Sequence, residues 1–229
     1  MSANLMSLAR SGGKFLKLFG DRKMMKQLPY DAEVEYIEST GEQYIDTGIY
    51  AVNNIIVEGS VIPVDYTTIN KPRIIIGTDY AGSGWTFVIR QPHDVKNNRL
   101  QVMFGGWWTS NPNNDNSLDA GVVSTFRYDR EGVIFSVNGK IVNTSSPSDF
   151  SQHKILIGKN RNQGYDKYPS LKIVHIKIQM GDNPVRDFIP VRKDGVGYMY
   201  DNISGQLFGN SGTGDFVVGP DKPFKETNQ

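Results

Sequence analysis

The chain has 229 residues, with 25 lysines and arginines against 24 acidic residues, and it contains no cysteine. This length is sufficient for one β-domain with a sizeable core, and the lack of cysteine excludes disulfides and thiolate metal sites. A net charge of +1 excludes a general nucleic-acid binder, which needs a clustered basic face.

The first 28 residues differ in composition from the rest of the chain. They hold six basic residues and one acid, Asp21, and the other 19 basic and 23 acidic residues give the remainder a formal charge of −4. Two short amphipathic helical faces, or an extended segment, are predicted on either side of Gly12-Gly13. The residues expected to make contacts in this basic arm are Leu5, Met6, Leu8, Lys14, Phe15, Leu16, Lys17, Leu18, Phe19, Arg22 and Lys23.

Helices as short as those of the arm are marginal alone, so we expect the arm to pack on another surface. We favour a neighbouring subunit; the alternatives are the open end of its own sandwich and a membrane surface. The apolar stretches of the arm are too interrupted for a signal peptide, and we expect it to be retained in the mature protein. No apolar run approaches the roughly 20 residues of a membrane span, so we predict no membrane partner.

After residue 33 the hydrophobic pattern has a period of two, which is typical of strands. Apolar and polar residues alternate in the segments 55–61, 85–90, 100–104 and 133–137. Asn138-Gly139 then supplies the left-handed pair that a tight hairpin needs. Gly59 interrupts the apolar row of Ile55, Val57 and Val61 and predicts a β-bulge.

Further along, the alternation predicts that Val174, Ile176, Ile178 and Met180 face the core and that His175 is solvated. Many short strands, frequent turn signals and no long helical period predict an all-β fold of two packed antiparallel sheets. We divide the chain into a basic amphipathic anchoring arm (1–30), a sandwich domain (31–222) and a polar C-terminal tail (223–229).

Three passages carry a resemblance to a known family. VEYIESTGEQYIDTG (34–48) opens the domain, FRYDREGVIFSVNGK (126–140) lies mid-chain, and DFIPVRKDGVGYMYD (187–201) runs into GQLFGNSGTGDF (205–216). Together they resemble the concanavalin A-like, laminin-G-type jelly rolls of phages and prophages of gut bacteria, of the Bacteroides type. The resemblance covers about residues 33–221, and its opening and closing passages are the distinctive ones.

This resemblance implies a jelly-roll virion protein that is assembled in the bacterial host cytoplasm. It would be a capsid decoration or head-fibre protein, or alternatively a tail-fibre or surface adhesin that recognises bacterial polysaccharide. The chain lacks heptads and collagen-like repeats, which favours the compact, capsid-associated role. We expect other virion proteins, capsid or fibre subunits, to bind residues 1–28, and further copies of the chain to form a dimer or trimer.

Catalytic chemistry is not indicated. A glycosidase needs two carboxylates facing one sugar, and the nearest set is Glu33, Glu35 and Glu38 on the domain-opening strand, a poor place for a cleft. Asp115 and Asp119 have no spacing specific for calcium. We therefore expect no enzyme activity, no cofactor and no metal.

Carbohydrate binding is the main alternative function, because two loops combine aromatic rings with amides suited to sugars. Adjacent strand residues point to opposite sides, so at most one of Trp107 and Trp108 is available as a platform. The competing interpretation is that both loops are polar surface or subunit contacts. The candidate glycan-binding residues are Trp107, Trp108, Asn111, Asn113, Asn114, Asp115, Tyr165 and Tyr168.

Overall fold

A computed structural model describes residues 28–223 except 69, 79–86, 93–98, 105–106, 110–117, 132–133, 145–152 and 161–168. These residues form 17 strands and one short 3-10 helix, Tyr66–Thr68. No helix in this part of the chain is long and apolar enough to cross a membrane. The strands are β1 (Ala32–Glu33), β2 (Ile37–Glu38), β3 (Ile45–Tyr50), β4 (Ile55–Ile62), β5 (Arg73–Thr78), β6 (Phe87–Gln91), β7 (Gln101–Phe104), β8 (Trp107–Thr109), β9 (Ser124–Asp129), β10 (Ile134–Val137), β11 (Lys140–Thr144), β12 (Lys154–Ile157), β13 (Lys172–Met180), β14 (Asn183–Lys193), β15 (Val196–Asp201), β16 (Gln206–Phe208) and β17 (Val217–Val218).

The strands form two sheets, as the sequence predicts. The large sheet has the order β11-β10-β9-β4-β13-β14-β15-β16, with β1 added on β14 and β2 pairing with both β13 and β17. The small sheet has the order β3-β12-β5-β6-β7-β8. All of these strand pairs are antiparallel, and an isolated bridge between Ile74 and Ser170 is parallel. The all-β, two-sheet antiparallel sandwich is therefore confirmed.

The core lies between the sheets and is built from the alternating apolar positions of both. Val57 and Phe188 of the large sheet and Ile89 and Ile155 of the small sheet are all completely buried. Burial of a side chain of this size stabilises the fold by roughly 1.5–3 kcal/mol. This packing fixes which residues of each strand face outward, and so defines the two outer faces on which ligands can bind.

The hairpin predicted at Asn138-Gly139 is confirmed. Asn138 has a φ of 48° and Gly139 a φ of 76°, the left-handed pair that joins β10 to β11. The Asn138 side chain also accepts a hydrogen bond from the Thr125 backbone N–H at 2.8 Å, which ties the turn to β9.

The prediction of a bulge at Gly59 is wrong, because the bulge lies on the neighbouring strand β13 and not on β4. The pairing of β4 with β9 is regular through Gly59, and the irregularity lies in β13, between Ile173 and His175. A Cβ on Gly59 would contact the His175 carbonyl oxygen and lie 2.8 Å from Ile176 Cδ1. Gly59 thus permits the close approach of the bulged strand.

The same bulge corrects the predicted faces of β13. Ile176 and Ile178 are buried as expected, but the extra residue shifts the alternation, so that Ile173 is buried and Val174 only half-buried. Met180 at the strand end is also only half-buried. His175 lies on the outer face, although its ring is bound to Asp187 at 2.6 Å rather than to solvent alone.

Candidate functional site

The two tryptophans predicted as a sugar platform belong to β8, an edge strand of the small sheet. Trp107 is paired with Phe104 and Trp108 with Met103. Ile89 and Val102 are register partners within the core cluster, so their neighbours Val88 and Met103 occupy the outward row. The backbone register therefore puts the position of Trp108 in the outward row and that of Trp107 in the row that faces the core.

The second predicted loop, residues 160–168, begins on the same face of the same sheet. Asn160 is buried, and a Cβ on Gly77 would lie 2.6 Å from Asn160 Cβ, so Asn160 packs directly on β5. Gly77 pairs with Leu156, and it follows Ile76, which pairs with Ile89. Gly77 thus belongs to the outward row that continues through Val88 and Met103. Three strand spacings, roughly 14 Å, separate it from β8.

A polar pair occupies the next outward row. Arg90 and Gln101 are register partners on β6 and β7, each only 5% exposed, with Arg90 Nη2 3.4 Å from Gln101 Oε1. Asn160 Oδ1 is also buried and accepts no hydrogen bond from the described residues. A buried acceptor without a donor costs roughly 1–3 kcal/mol. The polar side chains on this side of the small sheet are buried.

We call these elements the small-sheet face: Asn160 over Gly77, the Arg90–Gln101 pair and the register position of Trp108. It brings together the starting points of both predicted loops. The other predicted glycan-binding residues lie outside the described residues: Asn111, Asn113, Asn114, Asp115, Tyr165 and Tyr168. Sequence reasoning missed Arg90 and Gln101, although polar residues at outward positions of apolar strands were the available signal.

The folded domain begins and ends at one place, beside β14. Glu33 and Asp31 belong to the opening segment, and the Lys222 backbone N–H donates to the Glu33 carbonyl at 2.8 Å. Arg192 of β14 lies 2.7 Å from Asp221 and 3.7 Å from Asp31. Hydrogen bonding and charge from Asp221 raise the pKa of Arg192, and Arg192 holds the pKa of Asp221 below its usual value. We call this set of contacts the terminal clamp.

Residues 1–27 of the arm lie outside the described residues, as do all eleven of its predicted contact residues, Leu5 to Lys23. The described chain starts at Leu28, which is 48% exposed, and Tyr30 then packs edge-on against Tyr200 with ring centroids 5.0 Å apart. Burial, together with the nearby Glu33 carboxylate, raises the pKa of Tyr30 to about 12.

Two of the three carboxylates considered for catalysis, Glu38 and Glu33, lie beside basic side chains. Glu38 forms an ion pair with Arg73, whose guanidinium also donates to the Ser170 carbonyl at 2.9 Å. Glu33 lies 3.9 Å from Lys222. Within the described ranges, no group of three or more His, Asp or Glu residues is placed to hold a metal ion.

The fold is an all-β sandwich of two antiparallel sheets. No family model matches the chain, and no curated protein matches it. Among solved structures it is similar to the native heptameric SAP-like pentraxin from Limulus polyphemus, with 12% sequence identity and a TM-score of 0.44. The match covers 86% of this chain and 92% of the pentraxin chain. A likeness this distant does not bear on function.

Proposed function

We propose that this protein is a non-enzymatic structural component of a phage virion, a capsid decoration or head-fibre protein whose arm anchors the sandwich to other virion proteins. The observation that carries the proposal is the terminal clamp. It joins the opening and closing segments of the domain through the contacts of Glu33 with Lys222 and of Arg192 with Asp221. The two ends of the folded domain are therefore bound to each other next to the end of the arm.

Such a clamp suits an anchored domain for a mechanical reason. A pull on the arm reaches β1, which pairs with the 11-residue strand β14, before it reaches the core. The charge distribution supports the same role, since the arm is strongly basic and the remainder carries a formal charge of −4. An acidic partner surface would attract the basic arm and repel the net negative body, which keeps the body exposed.

Deletion of residues 1–28 tests this proposal. The truncated chain is expected to keep the circular dichroism spectrum of a β-protein and to be absent from purified particles. Deletion of residues 224–229 is the matched control, because that tail leaves the domain from the same clamp, and this variant is expected to enter particles normally. Normal incorporation of the arm deletion would contradict the proposal. Light scattering of the purified chain then tests the proposed dimer or trimer.

Glycan binding at the small-sheet face is a second candidate function. It is supported by the outward register position of Trp108 and by the polar residues Arg90, Gln101 and Asn160 on the same side of the small sheet. Tryptophan, amide and guanidinium groups are residue types that bind sugar rings. On an array of bacterial capsular polysaccharides, Trp108→Ala is expected to abolish binding that Trp107→Ala retains if it folds. No binding by the wild type would exclude this role.

A further inference from the structure

A groove of about 360 Å³ crosses the outer face of the large sheet, on the opposite side of the sandwich from the small-sheet face. This size is at the lower end of the range found for small-ligand sites. Strands β4, β9, β10 and β13 and the turn after β10 supply its walls. The lining is Glu58, Gly59, Ser60, Thr125, Phe126, Arg127, Ser136, Asn138, Gly139 and His175.

The groove exists because short side chains lie between long ones on neighbouring strands. Ser60 has both Thr125 and His175 as register partners, and Ser136 is paired with Arg127. The short hydroxyl side chains form the floor of the groove, and the longer side chains of Arg127 and His175 flank it. The turn at Asn138 closes one end and is held by three hydrogen bonds with Thr125, of 2.8, 2.9 and 3.4 Å.

Every charge beside the groove is compensated by a neighbour. Glu58 lies 2.6 Å from Arg127 and 3.2 Å from Lys177, and His175 is bound to Asp187 at 2.6 Å. Partial burial by itself raises the pKa of Glu58, but hydrogen bonds from Arg127 and Lys177 outweigh it and leave that pKa below its usual value. Arg127 also lies 3.6 Å from Asp129, so the acids beside the groove at least equal the bases, and no excess positive charge attracts phosphate or a carboxylate ligand.

The same residues keep free hydrogen-bonding capacity. Within the part of the chain that the structure describes, the hydroxyls of Ser60 and Ser136 make no hydrogen bond. A guanidinium has five N–H donors and a carboxylate about four acceptor positions, so the Arg127–Glu58 pair can also bind ligand hydroxyls. Closely spaced donors and acceptors without excess positive charge match the hydroxyl groups of a neutral sugar.

We infer that this groove binds a neutral saccharide unit, independently of the small-sheet face. Phe126 is 3% exposed, so among the described lining residues no phenyl, phenol or indole ring is open to stack on the sugar. Hydrogen bonds alone then give weak binding, with a dissociation constant of about 1–10 mM for a single unit. Several copies of the chain on one particle would raise the effective affinity for a repeating polysaccharide.

Amide chemical shifts of the full-length, isotope-labelled chain test the inference. The probes are the methyl glycosides of glucose, galactose, mannose and N-acetylglucosamine, with glucuronate and inorganic phosphate as charged comparisons. We expect at least one neutral glycoside to shift the amides of Ser60, Thr125 and Ser136 in a saturable manner. Shifts caused only by the charged probes, shifts confined to the small sheet, or no shift at all would overturn it.

A matched pair of variants locates the binding. Ser136→Trp fills the groove, and Gln179→Trp adds the same ring to the same sheet outside the lining, since Gln179 is a half-buried residue of β13. We expect at least a tenfold weakening in the first variant and unchanged affinity in the second. Equal affinities in the two variants would overturn the inference. Ser60→Val replaces Ser136→Trp if the latter does not fold.

Discussion

Arg192 and Asp221 form a two-pronged ion pair, in which Arg192 Nε and Nη2 lie 3.1 and 2.7 Å from the two carboxylate oxygens. The pair joins the middle of the large sheet to the closing segment of the domain. Asp31, in the opening segment, lies 3.7 Å from the same guanidinium. One side chain therefore holds both ends of the folded domain at the point where the arm begins.

Loss of this pair is expected to loosen the domain ends without unfolding the sandwich. In Arg192→Ala, the amides of Val34 and Lys222, which donate to Pro190 and Glu33, should exchange with deuterium faster. Amides in the centre of β13 should be unaffected, because local opening at an exposed end leaves the core closed. Arg192→Lys is the control, and its amide exchange rates should lie between those of the wild type and Arg192→Ala, because a lysine cannot make the two-pronged contact. Equal exchange in all three proteins would show that the clamp contributes nothing.

Tyr30 is expected to make the fold sensitive to alkali. Its pKa is raised to about 12 in the folded protein, by burial first and then by Glu33, against an ordinary value of 10.0. Between about pH 10 and pH 12 the unfolded state loses the Tyr30 proton while the folded state keeps it. The free energy of unfolding therefore falls as the pH rises through this range. Urea unfolding should therefore show that Tyr30→Phe becomes more stable relative to the wild type as the pH rises above about 10.

Tyr30→Phe keeps the ring that packs on Tyr200, so its packing contribution is retained in the comparison. Burial also raises the pKa of Tyr128, and this effect is common to both proteins and cancels in their difference. A difference in unfolding free energy that does not change with pH would contradict the prediction.

Glu58 is expected to contribute to stability in neutral solution and not in acid. Its pKa lies below the ordinary value of 4.5, because hydrogen bonds from Arg127 and Lys177 outweigh the opposing effect of burial. The contribution of Glu58 to the free energy of unfolding is present above about pH 4.5, the ordinary pKa. It disappears as the pH falls through the lowered pKa of the folded state. Since the three side chains remain partly exposed, Glu58→Gln should cost about 0.5–1 kcal/mol near neutral pH. It should cost almost nothing in strong acid.

The control for Glu58→Gln is Glu35→Gln. Glu35 is an exposed acid, and no ion pair of its side chain is found among the described residues. Its substitution should leave the free energy of unfolding unchanged at every pH. Identical pH profiles for the two variants would contradict the role given to Glu58.

Gly59→Ala is expected to destabilise the sandwich by about 1–3 kcal/mol. An added Cβ would contact the His175 carbonyl oxygen, a backbone atom that cannot rotate away, and would lie 2.8 Å from Ile176 Cδ1. Ser60→Ala, one residue along the same strand, points outward and should change stability by less than about 0.5 kcal/mol. Chemical denaturation measures both. Equal stability of the two variants would show that β13 accommodates the methyl group.

Local sequence patterns predict much of this fold. The apolar alternation identifies strands such as β4 and β10, and Asn138-Gly139 identifies the hairpin with its two left-handed residues. Gly59 was interpreted as the bulge itself, whereas the extra residue is on the neighbouring strand, at Val174. The sequence around Gly59 could not reveal this, because the contact depends on a segment far along the chain.

The candidate faces were less predictable for the same reason. The position of Trp108 in the outward row follows from its pairing with Met103, which only the register of the sheet determines. Asn160 lies on this face because it packs on Gly77, a residue distant in sequence. Likewise, the groove on the large sheet arises from hydroxyl residues contributed by β4, β9 and β10, none of which is distinctive in its own segment.

The central claim is that the arm binds another virion protein while the sandwich folds by itself. Its most direct test is a photo-crosslinking amino acid in place of Phe15, with illumination of intact particles and mass spectrometry of the products. A second probe at Glu131, an exposed residue of the body, is the control. The account predicts crosslinks from position 15 to a different virion protein and few from position 131. Crosslinks from position 15 exclusively to residues of its own chain would contradict it.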